Sequence, residues 1–151
     1  MPFFIVLTAR WGLGAELYDA VMMTDEMKSH FMNLYNMVLA DGNVKPEELV
    51  QVYRIGLRHG VSPGELNQLL LSPVKSTLPD ALEKKISNLY DLTEIILVDG
   101  EVSENEVDAL RRYCILFGFK DENANAIADF MLKKVKEGHT LDDIIKEVKE
   151  G

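Results

Sequence analysis

The sequence predicts an all-α fold, a compact bundle of about seven to eight helices. Three observations predict it. Apolar residues recur at spacings of three and four along almost every segment. No segment sustains the alternation of a half-buried strand, and β-branched residues are sparse. Proline, glycine and capping residues fall at the ends of the periodic runs.

The elements follow in order. From Asp25 to Ala40, Met27, Phe31, Leu34, Tyr35, Val38 and Leu39 share one helical face. Pro46 opens a second helix with Leu49, Val52, Tyr53, Gly56 and Leu57 on its face. Ser62-Pro63-Gly64-Glu65 reads as a capping box with proline at the first helical position, and it starts a short helix through Leu71. Residues 72–78 form a loop punctuated by Pro73 and Pro79. A long helix runs from Asp80 to Val98, with Leu82, Ile86, Leu89, Tyr90, Thr93 and Ile96 aligned. Another spans Glu104 to Phe117, and a third starts at Asp121 or Glu122 and ends near Gly138. Thr140, with Asp143 three residues later, caps a final short helix.

The chain has 151 residues, and residues 23–151 read as one domain preceded by an apolar arm, residues 1–22. In the arm, Phe3, Phe4, Leu7, Trp11, Tyr18, Val21 and Met22 share a face interrupted by Gly12 and Gly14. The run from Phe3 to Ala9 is too short to span a bilayer, no basic residues precede it, and Arg10 ends it. The arm reads either as packing on the domain's own surface or as a segment that binds a protein partner or a second copy.

The net charge of −9 argues against binding nucleic acid or anionic membranes, which need surplus Lys and Arg. It suits cations, basic partners or simple solubility. The single Cys114 excludes an internal disulfide framework and a cysteine-based zinc site, and points to a reducing, cytoplasmic compartment.

An internal duplication organises the chain. Shifted by 58 residues, 33–70 falls on 91–128. Leu34 meets Leu92, Leu39 meets Leu97, Asp41-Gly42 meets Asp99-Gly100, Val44 meets Val102, Glu48 meets Glu106, and Arg54 meets Arg112. Apolar residues exchange at Val38/Ile96, Leu49/Val107, Val52/Leu110, Leu57/Ile115, Val61/Phe119 and Leu69/Ile127, read as core-facing. The expected architecture is two helical hairpins about a pseudo-two-fold axis.

Each copy carries Leu-x-Asp-Gly-x-Val-x-x-x-Glu, from Leu39 to Glu48 and from Leu97 to Glu106. Glycine ends the first helix in the left-handed conformation, and Val44 and Val102 are expected to tuck into the core as anchors. Glu48 and Glu106 sit three residues after the N-caps, where Ser103 and Glu106 make a capping box. The spacing matches the second half of an EF-hand loop, but the oxygen ligands required at its first and third positions are replaced by Met37 and Leu39, and by Ile95 and Leu97. These four read as core residues, so no EF-hand is expected. A half-site survives in each copy. If the halves converge, Asp41, Glu48, Asp99 and Glu106 offer enough carboxylate oxygens for a divalent cation such as calcium, magnesium or manganese. The alternative is that each Glu only caps its helix and each Asp only stabilises its turn.

The twin motif, Leu39-Ala40-Asp41-Gly42-x-Val44 with Glu48 and Leu97-Val98-Asp99-Gly100-x-Val102 with Glu106, resembles the TerB and TerB-like domains of tellurite resistance over about residues 25–135. The resemblance implies a two-fold pseudo-symmetric bundle of about seven helices, acidic residues that chelate metal, and a role in tellurite resistance or a broader stress-response complex. Related domains occur in membrane-anchored J-domain co-chaperones. The His-Pro-Asp triplet of that activity is missing here, and the activity is not carried over.

Other residue types carry less. Met22, Met23, Met27, Met32 and Met37 cluster and read as core filling or an adaptable groove. Cys114, facing Gly56 in the other copy, reads as a small buried hydrophobe. His30, His59 and His139 show no ligand spacing and read as surface or helix-end residues. Arg54 and Arg112 either pair with the acidic turns or are solvated. With no nucleophile elbow, phosphate loop or localisable Cys–His or Ser–His arrangement, neither catalysis nor an organic cofactor is expected. The expectation is a non-enzymatic cation-binding module. The second reading is a structural adaptor that binds proteins through the arm or the Met-rich helix, its acids serving only as caps.

Overall fold

The computed structural model describes residues 23–71 and 77–151. The apolar arm 1–22 and most of the expected 72–78 loop lie outside the described residues. Among these the structure has seven helices and no strand. They are α1 (Asp25–Val38), α2 (Pro46–Arg58), α3 (Pro63–Leu71), α4 (Leu82–Leu97), α5 (Glu104–Leu116), α6 (Asp121–Lys136) and α7 (Leu141–Glu150).

Local chemistry sets the boundaries. Thr24 caps α1 by accepting from the Met27 amide. Ser62 and Glu65 form the reciprocal box that starts α3, and Thr140 and Asp143 do the same for α7. Gly42 and Gly100 both adopt φ of 80°, and their amides donate to the carbonyls of Leu39 and Leu97. A side chain at this φ is strained, which is why a glycine stands at each turn.

α4 lies at the centre and packs against α1, α2, α5, α6 and α7. It buries Ile86, Leu89, Leu92, Ile95 and Ile96, and its buried Thr93 hydroxyl is satisfied by the Leu89 carbonyl. Phe31, Leu34 and Met37 from α1 complete the middle of the core. A helix surrounded on this many sides needs apolar residues around much of its circumference. Gly56 lets α3 come close: a Cβ there would meet Leu66 Cδ1 at 2.8 Å. At the aligned position, Cys114 is fully buried and its thiol is pushed up to about 11 by burial, an inert filler.

Several expectations about burial need correction. Val44 and Val102 are not core anchors; they are 54% and 47% exposed. They lie between the turn glycine and the next N-cap, where the chain runs over the surface, and the turns close through backbone hydrogen bonds. Met37 and Ile95 are buried as expected, but Leu39, at the end of α1, is exposed and Leu97 is half-buried. Leu57 and Ile115 also face outward, because α2 and α5 each bury only a narrow stripe.

Candidate functional site

The two Asp-Gly turns lie side by side. The Lys45 ammonium, from the N-cap of α2, sits 3.6 Å from Asp41 Oδ2 and 3.1 Å from Asp99 Oδ2. The Ser103 hydroxyl, at the N-cap of α5, donates to Asp41 Oδ1 at 2.5 Å and accepts from the Glu106 amide at 3.1 Å. One lysine and one serine therefore stitch the corners together. The hydrogen bond to Asp99 raises the Lys45 pKa further above its usual range. Burial opposes ionisation of Asp99, but the Glu101 amide and the Lys45 ammonium outweigh it and hold that carboxyl below the usual range.

Glu48 and Glu106 lie beneath this pair, 1% and 0% exposed. Glu106 Oε1 accepts from the Ser103 amide and completes the capping box. Glu48 does not cap: Lys45 precedes α2 with no side-chain cap bond. Burial, then the hydrogen bond and charge of Glu106, push the Glu48 carboxyl up to about 9, so it holds a proton at neutral pH. The Oε2 atoms of both glutamates are buried and take no donor from elsewhere in the chain. The proton on Glu48 supplies the link between the two carboxyls.

All four acids read from the motif are thus brought together: Lys45 and Ser103 join Asp41, Asp99 and Glu106, and Glu48 meets Glu106. Lys45 is the residue the motif reading missed, and an ammonium four residues after Asp41 was the available signal. Arg54 and Arg112 are exposed and form no ion pair among the described residues. The cation that serves the turns is the lysine.

A second polar cluster lies outside the repeated motif. His30 in α1 is buried rather than superficial, and its Nε2 lies 2.8 Å from Asp91 Oδ2. His59, which ends α2, places its Nε2 at 2.8 Å from the same oxygen. Arg58 Nη2 donates to Asp91 Oδ1 at 2.6 Å and to Glu94 Oε1 at 2.5 Å. Burial opposes the charge on Asp91, but hydrogen bonds from the two histidines and their charges hold its carboxyl well below the usual range. Among the described residues this is the one set of three His, Cys, Asp or Glu side chains whose ligating atoms all lie within 4.8 Å of one another. The acidic corners are spaced more widely, around Lys45. His139 stays apart, half-buried beside Glu137. Linear spacing carries no trace of the cluster, since its members come from three helices. The available signal was Asp91 itself, a charge on the apolar side of a central helix, which demands partners.

Comparison of the chain with protein families, curated proteins and solved structures found no match. The likeness to TerB-like domains rests on the twin Asp-Gly motif. No described helix is long and apolar enough to cross a membrane.

Proposed function

We propose that this chain is a non-enzymatic, TerB-like module whose paired acidic corners bind one divalent cation. One observation carries the reading: Glu48 is buried, caps nothing, and faces a second buried carboxyl, Glu106, with no donor from elsewhere in the chain to either Oε2. Burying two carboxyls against each other costs stability, and a helix terminus does not require it. A hard cation accounts for the arrangement, because calcium, magnesium and manganese take oxygen ligands. Glu48 and Glu106 would hold the ion from the protein interior, with Asp41 and Asp99 at the solvent side.

Lys45 supplies positive charge to the same corner in the cation-free chain. Its side chain is 24% exposed, long and flexible, so it is able to swing outward. Occupation by a metal would release the Glu48 proton and the lysine together, and affinity should rise with pH up to about 9. A stress-response role of the tellurite-resistance type, in the cytoplasm, is the biological setting this reading favours. Calorimetric titration of the chain with calcium, magnesium and manganese tests it. Saturable binding of one ion, lost in Glu48→Gln/Glu106→Gln, is expected; no heat and no thermal shift with any of the three ions would remove the claim.

An adaptor reading is favoured by a separate feature. Leu97, Val98, Val102 and Val135 line a groove of about 350 Å3 beside the second turn, rimmed by Gln51, Glu94 and Lys136. Such a surface fits a protein partner without any ion.

A further inference from the structure

We propose that His30, His59 and Asp91 form a second cation site, distinct from the acidic corners, for a borderline transition-metal ion such as zinc. Its ligands arrive from α1, from the end of α2 and from α4. Both imidazole Nε2 atoms already address one carboxylate oxygen, Asp91 Oδ2, each at 2.8 Å. Two imidazoles and a carboxylate suit zinc, cobalt or nickel; calcium and magnesium prefer oxygen alone.

The surroundings prepare the donors. Arg58 takes the other oxygen of Asp91, Oδ1, and so fixes the plane of the carboxylate with Oδ2 turned to the histidines. Glu94 grips the same guanidinium through both oxygens, at 2.5 and 3.3 Å, which offsets a positive charge that would otherwise repel an incoming ion. Hydrogen-bonded ligands of this kind are what orients a metal site. An ion would replace the protons at the two Nε2 atoms, and each neutral ring would carry its proton on Nδ1 instead. At His30 that atom is buried without a partner already, so the exchange trades one unmet group for another.

Access is provided. A cleft of about 280 Å3, lined by Arg58, His59, Tyr90, Asp91, Thr140 and Asp142, reaches the cluster from the surface. His59 lines it with its side chain 25% exposed, while His30, buried, does not line it and meets the same Asp91 oxygen from α1. Three protein ligands, two of them lining a cleft, leave a coordination position open, the pattern of an exchangeable rather than a sealed site.

Cobalt(II) titration of the full chain, followed by its visible absorption and by displacement with zinc, tests the proposal. The expected result is one cobalt per chain with a spectrum of mixed nitrogen and oxygen coordination, displaced by stoichiometric zinc. His59→Gln should weaken binding about tenfold or more, with the helical circular dichroism spectrum retained because His59 is partly exposed. His139→Gln should leave binding unchanged. If His59→Gln fails to fold, nitrogen-15 spectra of the unmodified chain decide: zinc should shift Nε2 of both His30 and His59. Absence of saturable binding, binding untouched by His59→Gln, or binding removed by Glu48→Gln/Glu106→Gln while surviving His59→Gln would each overturn the proposal.

Discussion

Glu48 and Asp91 are buried to the same degree, each 1% exposed, yet they are held in opposite protonation states. Glu48 meets another carboxyl and keeps its proton. Asp91 meets two imidazoles and a guanidinium and gives its proton up. Burial penalises charge at both places, so depth decides neither outcome. What decides is the sign of the groups that share the pocket. The comparison separates two uses of a buried acid in one bundle: Asp91 is a joint between α1, α2 and α4, and Glu48 is half of a carboxyl pair that takes no outside donor at Oε2.

That contrast can be broken or sharpened by substitution. The largest effect is expected at the Asp91 joint. Asp91→Ala strands buried His30 and uncouples Arg58, and should destabilise the fold by about 3 kcal/mol or more, read by chemical denaturation. A loss no larger than that of a surface substitution would show that the network contributes little.

Glu48→Gln should act in the other direction. The folded-state pKa of Glu48 is raised above its ordinary 4.5 to about 9. Between those values the folded chain holds a proton that the unfolded chain has lost, so stability falls as pH rises through that window. Glutamine carries no such proton. The variant should therefore gain on the parent as pH increases, by up to about 1.4 kcal/mol for each pH unit within the window. Parallel pH profiles would mean that Glu48 is not protonated in the fold.

Lys45→Met removes the ammonium that competes with an external ion. Calorimetry should find manganese or calcium bound about tenfold more tightly, or about 1.4 kcal/mol. Weaker binding would assign Lys45 a supporting role instead. The smallest effect is expected for Ser103→Ala, which removes an N-cap and the hydroxyl that tethers Asp41, at about 1 kcal/mol of stability.

Much of the bundle was legible in the sequence because its signals are local. The 3.6-residue periodicity, the capping residues at Ser62, Ser103 and Thr140, and the glycines at 42 and 100 act within a few residues of themselves, and each appears where its chemistry placed it. The acid quartet was legible too, since both halves carry one motif. Outward-facing apolar residues were not. Leu57 and Ile115 match across the repeat as core positions do, and Val44 and Val102 recur in its turns; only tertiary packing shows that all four face outward. Nor was the His30–His59–Asp91 cluster. Its members are separated by 29 and 32 residues, so no pattern along the chain links them until α1, α2 and α4 pack together.

Paramagnetic broadening by manganese tests the central claim most directly. If one ion sits between the acidic corners, substoichiometric manganese should bleach the amide signals of Gly42 and Gly100 together, and Glu48→Gln/Glu106→Gln should abolish the effect at both. Bleaching at one turn alone, or broadening spread over exposed acids with neither turn favoured, would contradict the account.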